Sequence, residues 1–351
     1  LLEFGLMNTA VSTKDIRIAF IAPYPASAVL SASVIKANYR VGEHPTTWVK
    51  TLSEGLTRLP DVTVAVFVHS RAVTRTHRAE VNGVHYTFIP KREPIRSDPF
   101  HGYWPGAWAL RRAIAQFNPD LVQGFGIETG CAGIATRLPW PCVVFIQGII
   151  EKTIEYRASH PLQLAAYIRD ERRTLFRSDA FIAETAFARH WVNGHNPRAL
   201  VRVIPHAVDP NFYANRPDFR EPLMVCVGSL NRIKGPDVVV RAFAACTNPE
   251  ARLVLAGDGF LREPLKQLAR ELGVADRITF AGHQSREQVR ALMERARLLV
   301  IGSRMDTSPN VVSEAHAAGL PVVGTTAGGI PDMVEHGVDG LLSPVDDPDR
   351  M

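Results

Sequence analysis

The chain has 351 residues, of which 46% are hydrophobic and 21% charged, with a formal net charge of +5. A single core rarely grows past about 250 to 300 residues, so two domains are expected. The composition is that of an ordinary globular protein, and no apolar stretch approaches the roughly 18 residues of a membrane-spanning helix, which excludes an integral helical membrane protein.

The four cysteines, Cys131, Cys142, Cys226 and Cys246, form no CxxC pair and show no metal-ligand spacing. They read as reduced, mostly buried thiols of a cytoplasmic protein. Residues 1–14, LLEFGLMNTAVSTK, lack the basic start and apolar core of a signal peptide and are expected to form a disordered tail. Charge is uneven: up to residue 215 there are 24 Lys and Arg against 17 Asp and Glu, and beyond it 16 against 18. A basic front half attracts phosphates or anionic lipid. Nothing resembles a nucleic-acid motif, so no nucleic-acid partner is expected.

In chain order, "IRIAFIAP" (16–23) and "VTVAVFVH" (62–69) are short β-branched runs flanking a helical pattern in "TTWVKTLSEGL". The same rhythm continues through "DLVQGFG", "CVVFIQG", "AFIAET" and "VRVIPHA", each ending in a turn residue. Further along, "RDERRTLFR" (169–177) sets Arg169, Arg172, Arg173 and Arg177 on one helical face, interrupted by Asp170 and Glu171. That face is expected to make a loose peripheral contact with an anionic membrane. The stretch 210–222, "PNFYANRPDFREP", is rich in proline and poor in aliphatics, as a hinge would be. The expected division is an N-terminal lobe over 15–210, a hinge over 211–222 and a C-terminal lobe over 223–351.

The second lobe repeats strand and helix: "LMVCVGSL", "GPDVVVRAFAAC", "ARLVLAGDG", "LREPLKQLARELG", "RITFAG", "REQVRALMERA", "RLLVIGS", "NVVSEAHAAG", "PVVGT" and a last helix "PDMVEHG". Alternation of this kind predicts an α/β fold with parallel sheets, and ligands then sit beyond the carboxyl ends of the strands.

The densest chemistry lies in "SRMDTSPNVVSEAHAAGLPVVGTTAGGIPDMVEHG" (303–337). Ser308 supplies a cap, Pro309 a fixed φ and Asn310 a second cap candidate for the helix that Gly319 ends. Open amides around Asn310, Val311 and Val312, with the helix dipole, suit a phosphate. Glu314, about one turn in, suits a sugar hydroxyl, and Asp306 precedes the helix. A phosphate, a ribose and a hexose account for all these groups. The Gly328-Gly329 pair reads as a binding loop in which side chains would block a ligand. His101, His195 and His206 lack metal-ligand spacing and read as satisfied surface or core histidines.

This stretch resembles the donor-site signature of retaining glycosyltransferases of the GT-B fold, the family-four or "group 1" class. The resemblance runs from "IRIAFIAPYP" to "LLSPVDDP". It implies two Rossmann-like lobes facing a cleft, with the first on the acceptor side and the second binding a nucleotide-diphosphate sugar. It also implies that no metal or other cofactor is needed. "VGSLNRIKG" matches the family's diphosphate loop, keeping Lys234 while Ser229 replaces an arginine that Arg232 would stand in for. Glu314 matches the ribose-binding glutamate, and Asp306 matches the glutamate that holds the transferred sugar.

Gly42, beside Glu43, matches one glycine of a front-lobe Gly-Gly loop. Gln147 takes the place of a histidine in "VFIQGII", and His206-Ala207 depart from an Asn-Gly. The reaction implied is retaining transfer from a UDP-sugar, or less readily GDP-mannose, to a hydroxyl of a carbohydrate or lipid-linked acceptor. Asp306, Lys234 and Gln147 are the catalytic candidates, and Gly42, Arg232, Lys234, Asn310, Val311 and Glu314 would bind the donor. A sugar epimerase or phosphorylase with the same lobes, or a non-catalytic nucleotide-sugar binder, are the alternatives.

Overall fold

The computed structural model describes residues 15–36, 46–92, 100–156, 160–213 and 221–351. The expected tail over 1–14, and Gly42 with Glu43, lie outside them.

The first sheet is built from β1 (Ile16–Ile21), β2 (Val62–Ser70), β3 (His77–Val81), β4 (Val84–Pro90), β5 (Leu121–Phe125), β6 (Cys142–Ile146), β7 (Ala180–Ala183) and β8 (Leu200–Val203). Its order is β3-β4-β2-β1-β5-β6-β7-β8, and only β3 runs antiparallel to its neighbour. Apolar runs buried on both faces make the inner strands: Ala19, Phe20 and Ile21 of β1 are almost wholly inaccessible. The crossovers carry α1 (Thr47–Leu56), α2 (Trp104–Phe117), α3 (Cys131–Ala135), α4 (Pro161–Arg177) and α5 (Ala186–His195).

The β3-β4 hairpin is a finding that the reading of apolar runs passed over. "HRAEV" alternates charge with apolar residues and has no β-branched run to announce it. Its turn was nevertheless written in the sequence: Asn82 and Gly83 both take positive φ, as a two-residue hairpin loop of this hand requires.

The second sheet contains β9 (Leu223–Val227), β10 (Arg252–Ala256), β11 (Ile278–Gly282), β12 (Leu298–Val300), β13 (Val322–Thr325) and β14 (Gly340–Ser343), in the order β11-β10-β9-β12-β13-β14 with all pairings parallel. Between them run α6 (Pro236–Ala244), α7 (Arg262–Glu271), α8 (Arg286–Arg295) and α9 (Asn310–Ala317). Clean caps account for sharp starts; Ser285 and Gln288 form a reciprocal capping box at α8.

Two expectations are corrected here. "PDMVEHG" is no helix: only a short 3-10 turn forms at Ile330–Asp332, and the chain then turns through Gly337 into the unforeseen strand β14. The thiols are less buried than expected, since Cys226 alone is fully buried and the other three are partly accessible.

Each sheet carries its own apolar clusters, such as Phe20, Val66 and Phe125 in the first and Val225, Leu299 and Val322 in the second. Phe212, which follows β8 and precedes β9, is buried in the second lobe's cluster. The lobes meet directly: Thr185 Oγ1 donates to the Thr307 carbonyl at 3.0 Å, and the Phe187 amide donates to Asp332 at 2.7 Å.

Candidate donor site between the lobes

The loop after β9 and the loop after β12 are pressed together. Gly235 adopts φ +56°, and a Cβ there would stand 2.0 Å from the Gly302 carbonyl oxygen, so only glycine lets the loops touch. Arg304 fastens them further. Its guanidinium forks onto Asp237 at 3.0 and 2.7 Å, reaches Asp346 at 2.7 Å, and donates to the Arg232 carbonyl at 2.9 Å. Those carboxylates hold the Arg304 pKa above its ordinary value.

The fastening brings Lys234 to Asp306. Their Nζ and Oδ2 atoms are 2.5 Å apart, with the lysine partly open and the carboxylate largely covered. The two residues lie 72 positions apart in sequence, and the folding of the loops makes them neighbours.

The glycine pair turns out to serve this loop. A Cβ on Gly328 would meet the Asp306 carbonyl oxygen at 2.0 Å, and one on Gly329 would meet the Thr307 carbonyl at 2.1 Å. The Gly329 amide also donates to the Asp306 carbonyl at 2.9 Å. What the missing side chains admit in this structure is the backbone at Asp306-Thr307.

Helix α9 begins at Asn310, with Pro309 at the cap position and no side chain capping it. Ser308 is therefore not the cap: its hydroxyl lies 3.6 Å from Met333 Sδ. The Val312 amide donates to the Pro309 carbonyl at 2.9 Å, so it is not one of the open amides expected there. Val311 is half-buried against the second lobe's core. Asn310 Oδ1 is buried and has no hydrogen-bond partner among the described residues.

Glu314 sits one turn deeper and accepts from Arg286 Nη2 at 3.3 Å, while Arg286 Nε is 3.7 Å from Asp209. Burial pushes the Glu314 pKa up to about 7, against the pull of Arg286. Arg286, at the start of α8, and Asp209 are residues that sequence reasoning did not assign. Asp209 stands three positions after His206, but its partner lies 77 positions away, and burial is not written in a motif.

The first lobe closes the site with Thr47, Trp48 and Thr51 of α1, which face Asn310, Ser313 and Glu314 across a small cavity also lined by His206. His206 is a packed, partnered histidine, as expected. Its ring stacks on Phe145 with centroids 5.6 Å apart and leans on Trp48, and its Nε2 contacts the buried carboxylate of Glu184. Burial raises the Glu184 pKa, opposed first by the bond to His206.

Gln147 follows β6, and both its amide oxygen and nitrogen are buried without a partner among the described residues. Its amide can offer both a donor and an acceptor to a polar group. Arg232 lies elsewhere: it is exposed and lines a groove of about 650 Å³ with Asp237, Arg241 and residues of α7. The structure thus joins Lys234 to Asp306, and Asn310 to Glu314, without setting Arg232 among them.

Comparisons with known proteins identify the family. Residues 210–351 match the model of glycosyl transferases group 1, and residues 46–212 match that of glycosyltransferase family 4. D-inositol 3-phosphate glycosyltransferase of Nocardiopsis dassonvillei is 30% identical over 277 residues, covering 70% of this chain and 64% of that protein. The chain therefore spans less than two thirds of that relative's length. Among solved structures, sucrose-phosphate synthase from Thermosynechococcus elongatus superposes with a TM-score of 0.76 at 20% identity, over 95% of this chain and 87% of that one. Anabaena HepE in complex with UDP and glucose gives 0.68 at 17% identity, with the same coverage. The chain belongs to the group 1 glycosyltransferases and has their GT-B fold, two Rossmann-like lobes with parallel sheets about a cleft.

Proposed function

We propose that the protein transfers a sugar from a nucleotide-diphosphate donor to an acceptor hydroxyl with retention of anomeric configuration, and that the donor is a UDP-sugar. The observation that carries this reading is the Lys234–Asp306 pair, with Asp306 in the loop before α9 and the buried Glu314 one turn into that helix. On this reading Lys234 is the cation for the diphosphate, Asp306 the carboxylate for the hexose and Glu314 the carboxylate for the ribose. The relatives' printed names support it, since one acts on an inositol phosphate and a fold neighbour holds UDP and glucose.

Breaking the anomeric C–O bond places negative charge on the departing diphosphate and positive charge on the ring. Lys234 and the amide end of α9 stabilise the first, and Asp306 orients the sugar. The acceptor oxygen bonds to the anomeric carbon on the face the diphosphate leaves, and its proton passes to a diphosphate oxygen. Gln147, with its unpartnered amide, supplies hydrogen bonds from the first lobe. Positive charge comes from the lysine and the helix end, so the reading gives no metal or cofactor a part.

Thermal-shift titration with UDP, GDP, UDP-glucose, UDP-N-acetylglucosamine and GDP-mannose tests the donor assignment. Stabilisation by UDP compounds above GDP compounds is expected; the reverse order would replace the donor.

A further inference from the structure

Glu184 directly follows β7, and its carboxyl is almost wholly buried. A carboxylate taken this far out of water is kept only with partners. One partner is His206 Nε2, from the loop after β8 of the same lobe. The carboxyl is also within hydrogen-bonding reach of the Ser308 hydroxyl, in the second lobe's loop before α9. Glu184 therefore stands where the Asp306 loop meets the first lobe.

His206 is held firmly. Its ring lies between Phe145 and Trp48, with centroids 5.6 and 5.8 Å away, and Glu184 fixes one of its nitrogens. The other, Nδ1, makes no hydrogen bond among the described residues. The residue lines the interlobe cavity together with Asn310 and Glu314, so it reaches the start of α9 from the opposite lobe. Paired with a carboxylate at one nitrogen, an imidazolium presents the N–H of the other to an anion.

The other cations named at the cleft are already engaged, Lys234 with Asp306 and Arg286 with Glu314 and Asp209. Arg232 lines a separate groove, and Ser229 in the loop after β9 carries no charge. A diphosphate carries more than one negative charge, and a cleft that covers it must answer with more than one cation.

We propose that His206, backed by Glu184, is a second cationic contact for the donor's diphosphate, reaching it from the first lobe as Lys234 reaches it from the second. The inference rests on the nucleotide-sugar reading above and adds to it a phosphate contact on the other side of the cleft. Glu184 is the positioning residue, since it acts through the imidazole. A diphosphate held in this way ties the lobes together, because its two cations belong to different ones.

Calorimetry on the whole chain with UDP and with uridine tests the proposal, because the two ligands differ only in the diphosphate. In H206Q, UDP affinity is expected to fall about 10- to 150-fold while uridine affinity stays at the native value. E184Q is expected to give a smaller loss of UDP affinity, and E184Q/H206Q no further loss than H206Q, as a residue acting only through His206 must. Native uridine affinity and far-UV circular dichroism confirm that each variant is folded. UDP affinity unchanged in H206Q, equal losses for UDP and uridine, or additive losses in the double variant would each overturn the proposal. A native chain that binds UDP no more tightly than uridine would instead overturn the nucleotide-sugar reading, and this contact with it.

Discussion

Lys234 Nζ lies 2.5 Å from Asp306 Oδ2, an ion pair joining the loop after β9 to the loop after β12. The pair gives the two residues separable roles. Lys234→Ala removes a charge-assisted contact to the diphosphate and is expected to weaken UDP binding by about 1.5 to 3 kcal/mol. Asp306→Asn is expected to leave UDP affinity near that of the native protein while lowering turnover, because the amide oxygen still accepts from Lys234 and only the charge assigned to the sugar is lost. Calorimetry with UDP and a UDP-release assay separate them; a collapse of UDP affinity in Asp306→Asn with turnover preserved reverses the assignment.

Glu314 ties binding to pH. Its pKa stands at about 7 through burial, so it becomes the ionised acceptor that a ribose hydroxyl needs only as pH rises through that value. UDP affinity is expected to increase from pH 6 to 8 and then level. Glu314→Gln flattens this rise, and Glu314→Ala costs about 1.5 to 3 kcal/mol of binding at pH 8. Arg286→Leu, which removes the cation 3.3 Å away, is expected to move the rise to higher pH. Calorimetric affinity at five pH values checks all three.

The same carboxyl bears on stability. Between pH 4.5 and 7 the folded chain holds this proton and the unfolded chain has lost it, so stability falls as pH rises across that window. The fall due to Glu314 is at most about 3 kcal/mol. Glu171, also raised to about 7 by burial, adds to the same window. Urea unfolding of Glu314→Gln is expected to show a shallower fall than the native chain, with part of the slope left by Glu171.

Gly328→Ala tests the role of the glycine pair. At φ +55°, with the Asp306 carbonyl 2.0 Å from the new Cβ, alanine is strained and must displace the Asp306 loop. A loss of thermal stability without added UDP is expected. A variant as stable as the native chain that fails to bind UDP-sugars would return the pair to ligand contact.

How much of this was legible depended on what each feature needs. The strands "LMVCV", "RLVLA" and "LLV" announced themselves because buried parallel strands must be continuously apolar. β14 did not, since "GLLS" is too short and glycine-led to stand out. The site's acids and lysine were legible because they sit in a long local motif. Arg286 and the Glu184–His206 contact were not, because each depends on partners 22 or more positions away and on burial that no local pattern encodes. Asp170 and Glu171 mislead in sequence for the same reason: both turn inward while Arg172 and Arg173 beside them stay exposed, and only packing tells which side is water.

Proton NMR of the chain incubated with UDP-glucose tests the transferase reading most directly, since slow hydrolysis reveals the reaction without knowledge of the acceptor. UDP and free glucose are expected, with the α anomer appearing before mutarotation supplies the β. Release of β-glucose first would contradict retention, and a new UDP-sugar, or binding without any UDP release, would contradict transfer itself.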